Sequence, residues 1–494
     1  MVEQQQSILL VVIPLLAAPV TALLPSGRLA WLLTQIVTIT CVLISLSILI
    51  DVTNGQLIHY ELGGWAPPWG IAYEIDALNA LIVVIISLIA TLVTTYAWSS
   101  VAIDIPAEKQ PHFYTAFQLC FLGLLGMSMT GDIFNVFVFL EISSLSTYAL
   151  ISMGRNRQAL TAAYQYLILG TIGATFFLIG IGLAYAATGT LNMADLAIEL
   201  AASKYSSTIK TALGFIFVGI ALKAAMFPLH QWLPRAYTYA PVMVTAFLAG
   251  TATKVAIYVL ARVIFTVFSP EYAMATVFDE LLIVLGAIAV VYGAIRAIQQ
   301  TTIKPLLAWS SLSQIGYFMI GIGLLSATGL MATMVHLFNH ALIKTALFMA
   351  AGILLYQTGT LRISQLAGKG RQLPWTFAAI VIAGLSLIGV PGTVGFISKW
   401  YLVLAAVEQQ AWWLVGVVVL GSVLAIVYVW KIIETLYFQS TEVEVDTTEP
   451  RMVTSPALII PTWLLAIACI YLGLDTSLTV GAAQTAVASL GLIP

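Results

Sequence analysis

Residues 211–234 read TALGFIFVGIALKAAMFPLHQWLP. The run is apolar enough to enter a bilayer, where a helical span takes about 20 such residues. Yet it holds Lys223 in its interior and is broken by Pro228 and Pro234. An ionisable side chain at bilayer depth costs at least a few kcal/mol and is kept where ions or protons pass. A break frees backbone groups, which a bilayer tolerates only where protein or a water-filled cavity satisfies them.

The feature recurs along the chain. Lys254 lies in GTATKVAIYVL, Lys344 in FNHALIKTALF, Lys399 in VGFISKWYLVL, and the carboxylate Glu141 in FVFLEISSLS. A second break, GVPGTVGFISKW at 389–400, carries Pro391 among three glycines just ahead of Lys399. The composition sets the frame: 494 residues are 61% hydrophobic and only 8% charged. A soluble protein carries about 25% charged residues, so this chain reads as an all-α polytopic membrane protein. A net charge of −2 offers no basic face for nucleic acid. Cys41, Cys120 and Cys469 all lie in apolar runs without metal or disulfide spacing.

Fourteen spans are expected, near 8–24, 29–50, 77–98, 113–130, 132–153, 160–187, 210–239, 242–266, 276–299, 303–325, 328–357, 375–406, 411–437 and 455–475. The seventh and twelfth are the broken ones. Taking alternate loops as one side, twelve Lys and Arg residues, Lys304 among them, fall together, against Lys204, Lys210 and Arg262 opposite. The positive-inside rule then places both termini on the external side of the cell membrane. It makes 51–76 an external loop and the acidic stretch 440–449 a cytoplasmic linker. Trp65, Trp69, Trp412 and Trp413 are expected as interfacial anchors. Asp76 and Asp132 are expected as helix caps, and His59 and His112 as loop residues without a role.

The chain also repeats itself. TGTL at 188–191 returns at 358–361, and SSLS at 143–146 returns at 310–313, with offsets of 170 and 167. Five spans separate each element from its copy, an odd number, so the copies face opposite ways. The pattern predicts two inverted-topology five-helix repeats, spans 4–8 and 9–13, with the breaks in equivalent places. The chain divides accordingly into an N-terminal three-span segment (1–112), a first repeat (113–267), a second repeat (268–438), and a linker with the last span (439–494).

The buried ionisable residues suggest a proton pathway. A desolvated ammonium gives up its proton more readily than one in water, and a nearby carboxylate restores its hold. Glu141 and Lys223 are expected to pair, and a pair that opens and closes is a switch. A static salt bridge is the plain alternative. His336, His340 and Lys344 are spaced four apart and share a helix face. They read as a hydrated wire, with Lys254 at its centre and Lys399 at its end. Ser311, Ser313 and Gln314 are candidates to hold linking water, and His230 to stand at a cytoplasmic mouth. His336 and His340 could bracket a metal, but no carboxylate or cysteine joins them and Lys344 would repel a cation. No metal and no cofactor are expected, and the absence of a nucleotide-binding motif speaks against an ATP-driven pump.

The stretches FNVFVFLEISSLSTYALI, ALKAAMFPLHQWLPRAYTYAP, ATKVAIYVL, HLFNHALIKTALF and GVPGTVGFISKWYL resemble the antiporter-like subunits. These subunits are shared by Mrp-type multisubunit cation/proton antiporters, respiratory complex I and membrane-bound hydrogenases. The resemblance covers essentially the whole chain. The external motif GGWAPPWGIAYEIDALNALI and the length are most similar to the D-type subunit of Mrp antiporters. It implies that Glu141 and Lys223 are the paired glutamate and lysine, Lys254 the central lysine, His340 and Lys344 part of the eleventh-span motif, and Lys399 the twelfth-span lysine. It implies a proton-translocating role in a sodium/proton antiporter, among other hydrophobic subunits. The redox-driven relatives carry the same intramembrane residues and stand as the alternative. Gln314 departs from those relatives that carry a histidine there.

Overall fold

The computed structural model describes residues 2–202, 206–274, 276–439 and 455–492. The linker segment 440–449 and Lys204 lie outside the described residues. The chain is almost entirely helical. It opens with α1 (Val2–Ala22) and α2 (Gly27–Thr53). Next come the strands β1 (Ile58–Glu61) and β2 (Ala72–Ile75), then α3 (Ala77–Asp104), α4 (Gln110–Met129), α5 (Ile133–Ser152), α6 (Arg157–Thr188) and α7 (Met193–Ala202). The middle of the chain holds α8 (Ser207–Lys223), α9 (Trp232–Tyr239), α10 (Val242–Gly250), α11 (Ala252–Arg262), α12 (Pro270–Met274) and α13 (Phe278–Ile298). The rest comprises α14 (Ile303–Gly323), α15 (Ala327–Thr358), α16 (Pro374–Ile388), α17 (Val394–Glu408), α18 (Trp412–Tyr437), α19 (Pro456–Leu474) and α20 (Ser477–Ser489).

Among the described residues, eleven helices are long and apolar enough to cross a membrane. The three remaining expected spans are α4 and the broken pairs α8–α9 and α16–α17. Burial separates inner from outer helices. The most apolar stretch of α15 is completely buried, and those of α14 and α10–α11 are 94% buried, against 39% for α1, α2, α6, α13 and α19. The spans that bear Lys254, Lys304, His336, His340 and Lys344 therefore form the centre, and the outer helices present one apolar face outward.

Local chemistry sets the helix ends. Asp132 caps α5 through the Asn135 amide, as expected. Asp76 caps α3 in a reciprocal box with Asn79. Gly189 and Gly359 end α6 and α15 in the left-handed conformation, where a side chain would be strained. The TGTL turns that follow make the same connection twice. Ile133 N donates to Leu191 O (2.9 Å) and Met193 N to Gly131 O (2.8 Å). At an offset of 170, Ile303 N donates to Leu361 O (3.0 Å) and Ile363 N to Thr301 O (3.0 Å).

Four expectations are corrected. The eighth span is broken too: α10 ends at Gly250, Thr251 leaves helical geometry (φ −126°, ψ −61°), and a π-helical turn at Val263–Val267 closes the span. His112 lies in the first turn of α4, and His59 lies on β1, paired antiparallel with β2 inside the expected external loop. Lys304 is no loop charge: it is buried and donates to Ala240 O (2.7 Å). Arg262 is no loop charge either. Its guanidinium binds Asp76 bidentately, Nη1 to Oδ2 at 2.6 Å and Nη2 to Oδ1 at 2.8 Å.

That last contact ties the C-terminal end of α11 to the start of α3. Burial works against the Asp76 carboxylate. The Arg262 guanidinium and the Asn79 and Leu78 amides outweigh it and hold the carboxyl below its ordinary range. A depressed folded value adds stability above the unfolded value of about 3.9, and that stability is lost as pH falls through the folded value. Asp76→Ala is expected to lower stability by about 2 kcal/mol, because it leaves a half-buried guanidinium without its carboxylate. It should also flatten the acid limb of a thermal-unfolding profile in detergent. An unchanged melting temperature at neutral pH would rule the contact out as a support.

Candidate functional site

The polar interior is built from the helix breaks outward. Each break leaves carbonyls without intrahelical partners, and buried side chains take them. Trp232 Nε1 donates to Leu222 O (2.8 Å) at the end of α8. Lys254 Nζ takes Ala249 O at the α10–α11 break. Lys399 Nζ takes Leu387 O (3.2 Å) and Ile388 O (2.7 Å) at the end of α16, with Ser422 Oγ at 3.1 Å. A cation at a helix C-terminus also meets the negative end of the helix dipole. The lysines thus have a structural duty: they take backbone carbonyls that the breaks leave free.

Glu141 and Lys223 come together as the sequence predicts. Lys223 Nζ lies 3.6 Å from Glu141 Oε1, which makes no hydrogen bond. The ammonium instead donates to Ser144 Oγ (2.6 Å) and Tyr148 OH (3.3 Å). The ion pair is therefore long, and neutral groups can hold the lysine while the carboxylate moves away. Glu141, Ser144 and Tyr148 are spaced three and four apart on one face of α5, a signal that would have found Tyr148.

The remaining lysines gather around α15. His336 and His340 stack with centroids 5.5 Å apart and planes inclined by 14°, against Phe318. His336 Nδ1 meets Ser398 Oγ at 2.8 Å, the residue before Lys399. Lys344 Nζ reaches Leu307 O (2.9 Å) and Ser310 Oγ (2.6 Å) on α14. Lys254, Lys344 and Lys399 all act electrostatically on His340. Both ring nitrogens of His340 and Nε2 of His336 are buried without a protein partner, as is Gln314 Nε2. Buried polar atoms of this kind are served by ordered water.

Not every candidate joins this group. Ser311 Oγ donates to Leu307 O (3.1 Å) and so shares an acceptor with Lys344. Ser313 Oγ turns away to Val290 O (2.9 Å), which packs α14 on α13. His230 stands apart, stacked on Phe227 and edged by Tyr292 and Trp309, at an open cavity of about 710 Å³ that also holds Arg235. Ser398, Ser422 and Tyr317, whose ring faces Lys399 at 5.3 Å, complete the far end. Ser398 was legible as the neighbour of Lys399. Ser422, on another span, carried no signal.

Chemically the arrangement is one loose carboxylate–lysine pair and three further lysines. Among the described residues, none of those three makes a salt bridge. Positive charges close together in a poorly polarisable interior repel. A proton added at one position therefore makes its neighbours readier to release theirs. Histidines and water-binding amides between them supply groups that both accept and donate.

Residues 130–425 match the transmembrane family described as NADH:quinone oxidoreductase/Mrp antiporter. The chain is 40% identical over 430 residues to the N-type subunit of the NADH-quinone oxidoreductase of Desulforudis audaxviator, covering 85% of each. It is 28% identical over 390 residues to the D-type subunit of the Na(+)/H(+) antiporter of Alkalihalophilus pseudofirmus, covering 79% of this chain and 78% of the relative. Among solved structures, a chain of the Mrp complex from Dietzia sp. superposes with a TM-score of 0.89 at 26% identity, over 99% of this chain and 98% of the other.

Proposed function

This chain belongs to the NADH:quinone oxidoreductase/Mrp antiporter transmembrane family, and from that premise we propose that it is the proton-translocating, D-type subunit of an Mrp-like sodium/proton antiporter. The observation that carries the reading is the Glu141–Lys223 pair, at 3.6 Å, in a chain with three further buried lysines, Lys254, Lys344 and Lys399, that make no salt bridge among the described residues. Opening the pair leaves Lys223 a poorer holder of its proton. The proton then moves along Lys254, Lys344, His340 and His336, through water at the unpartnered ring nitrogens, towards Lys399. Gln314 and Ser311 border that route, and His230 stands beside its entry. Ser313, engaged in helix packing, is left out.

The chain works as one hydrophobic subunit among others in a multi-pass membrane complex. Cation movement is assigned to partner subunits or to their interface with this one. With Lys304 and Arg262 set aside, the remaining loop lysines and arginines still favour an orientation in the cell membrane with both termini outside.

A second reading is favoured by one specific observation: the 40%-identical relative is a subunit of an NADH-quinone oxidoreductase. In that reading the same residues move protons driven by electron transfer. Gentle extraction of the tagged chain with its partners, followed by an optical spectrum and a flux assay, separates the two. Colourless hydrophobic partners and sodium-dependent proton flux support the antiporter. Flavin or iron–sulfur absorbance in stoichiometric partners, with flux that ignores sodium, overturns it in favour of the redox-driven complex.

A further inference from the structure

A second polar cluster lies at the end of the molecule that carries Arg155 and Arg235. The carboxylate of Asp104, the last residue of α3, accepts from Val242 N (3.0 Å) and Tyr356 OH (2.8 Å) on Oδ2. Lys304, at the start of α14, donates to Ala240 O (2.7 Å). The two side chains thus grip opposite sides of the turn between α9 and α10, the turn that joins the spans bearing Lys223 and Lys254. Lys304 and Arg155 act electrostatically on Asp104, and Tyr96 and Tyr356 complete the titratable groups facing it. Asp104, Arg155 and Lys304 line an open cavity of about 510 Å³. It shares Thr238, Tyr239 and Pro305 with the cavity that holds His230.

A carboxylate that served only as a clamp would not need to face a cavity of this size. Nor would a clamp need a buried lysine acting on it from across the turn. The position of that lysine gives the direction. On α14, Lys304, Leu307, Ser311 and Gln314 are spaced three, four and three apart, so they share a face. Leu307 O and Ser310 Oγ are the partners of Lys344. At 1.5 Å per residue, Leu307 stands about 4.5 Å and Ser310 about 9 Å along the helix from Lys304. The stripe runs from an open mouth to the interior lysines.

We propose that the cavity around Asp104 and Lys304 is a proton port of this subunit, with Asp104 as the group that exchanges protons with solvent and Lys304 as the first group of the stripe leading to Lys344. This rests on the proton-pathway reading above. The step is a transfer relayed by cavity water: the protonated Asp104 carboxyl gives its proton to a water, which passes one to a neutral Lys304 amine, leaving a carboxylate and an ammonium. The carboxylate recovers a proton from cavity water, and the reverse order serves release.

The test uses the intact complex in proteoliposomes, with proton flux read by a pH-sensitive dye. Asn at 104 keeps an acceptor oxygen for Val242 N and Tyr356 OH but cannot carry a proton. Asp104→Asn is expected to slow flux about tenfold at a normal amount of complex, and Asp104→Glu to restore most of it. Lys344→Ala serves as the control for the pathway. Normal flux in Asp104→Asn with flux lost in Lys344→Ala overturns the port alone. Normal flux in both overturns the pathway and the port with it. An independent measurement places a cysteine in the mouth as Thr360→Cys, the three native cysteines being buried. Labelling it with a bulky maleimide should cut the flux of that same variant severalfold, and an unchanged rate after complete labelling would overturn the port.

Discussion

Complexes carrying Lys223→Ala or Glu141→Ala are expected to assemble in normal amounts and to lose proton flux by on the order of 100-fold, the cost of removing a positioned proton donor or acceptor. The structure explains why function should suffer more than assembly. The pair is not hydrogen-bonded, and although Oε1 is buried in the paired state, the glutamate side chain is 25% exposed and can turn towards water when its partner is removed. Ser144 and Tyr148 lose a donor in Lys223→Ala and can turn to each other or to water. The double variant should be no worse than either single one, since residues that act as a unit are not additive. Flux in proteoliposomes, normalised to assembled complex, is the readout. Near-normal flux in either single variant would make the pair a structural salt bridge.

Gly395→Ala is expected to fail at an earlier stage. A methyl group there would stand 1.7 Å from Ser386 O and 2.8 Å from the carbonyl carbon, both backbone atoms that no rotamer change can move aside. The start of α17 must shift away from α16, at about 3 kcal/mol or more for overpacking of this kind. The shift would draw Lys399 off the Leu387 and Ile388 carbonyls and Ser398 off His336. The amount of complex in the membrane should fall, and whatever assembles should conduct poorly. Wild-type abundance together with wild-type flux would mean that the α16–α17 crossing is looser than this geometry.

Much of this was legible in the sequence because membrane burial leaves few innocent explanations for a charge. Lys223, Lys254, Lys344, Lys399 and Glu141 stand out in apolar runs. Pro228 and Pro391 mark two of the three breaks by chemistry that no context can hide. The break at Thr251 was not legible, since a threonine after Gly250 has no fixed backbone preference. The break is held open by Lys254 taking Ala249 O, and Gly250 leaves room for Thr345 on α15. Arg262 and Asp76 are 186 residues apart, and only the fold brings them together. Lys304 misled a count of loop charges because it lies one residue inside a helix and turns inward. His230 is seven residues from Lys223 in sequence, yet the α8–α9 break sends it to an open cavity away from the stacked histidines. Spacing reports a helix face reliably only while the helix is unbroken.

The central claim is that the buried lysines release and rebind protons, and are more than fixed charges. Lys254→Arg tests it most directly, because a guanidinium keeps the positive charge and can still donate to Ala249 O but does not give up its proton in a protein. Proton flux through reconstituted complex carrying this one change, compared with the same amount of unaltered complex, is the measurement. The account predicts that flux is lost while assembly persists. Flux at the unaltered level would mean that position 254 needs only a charge, and would contradict it.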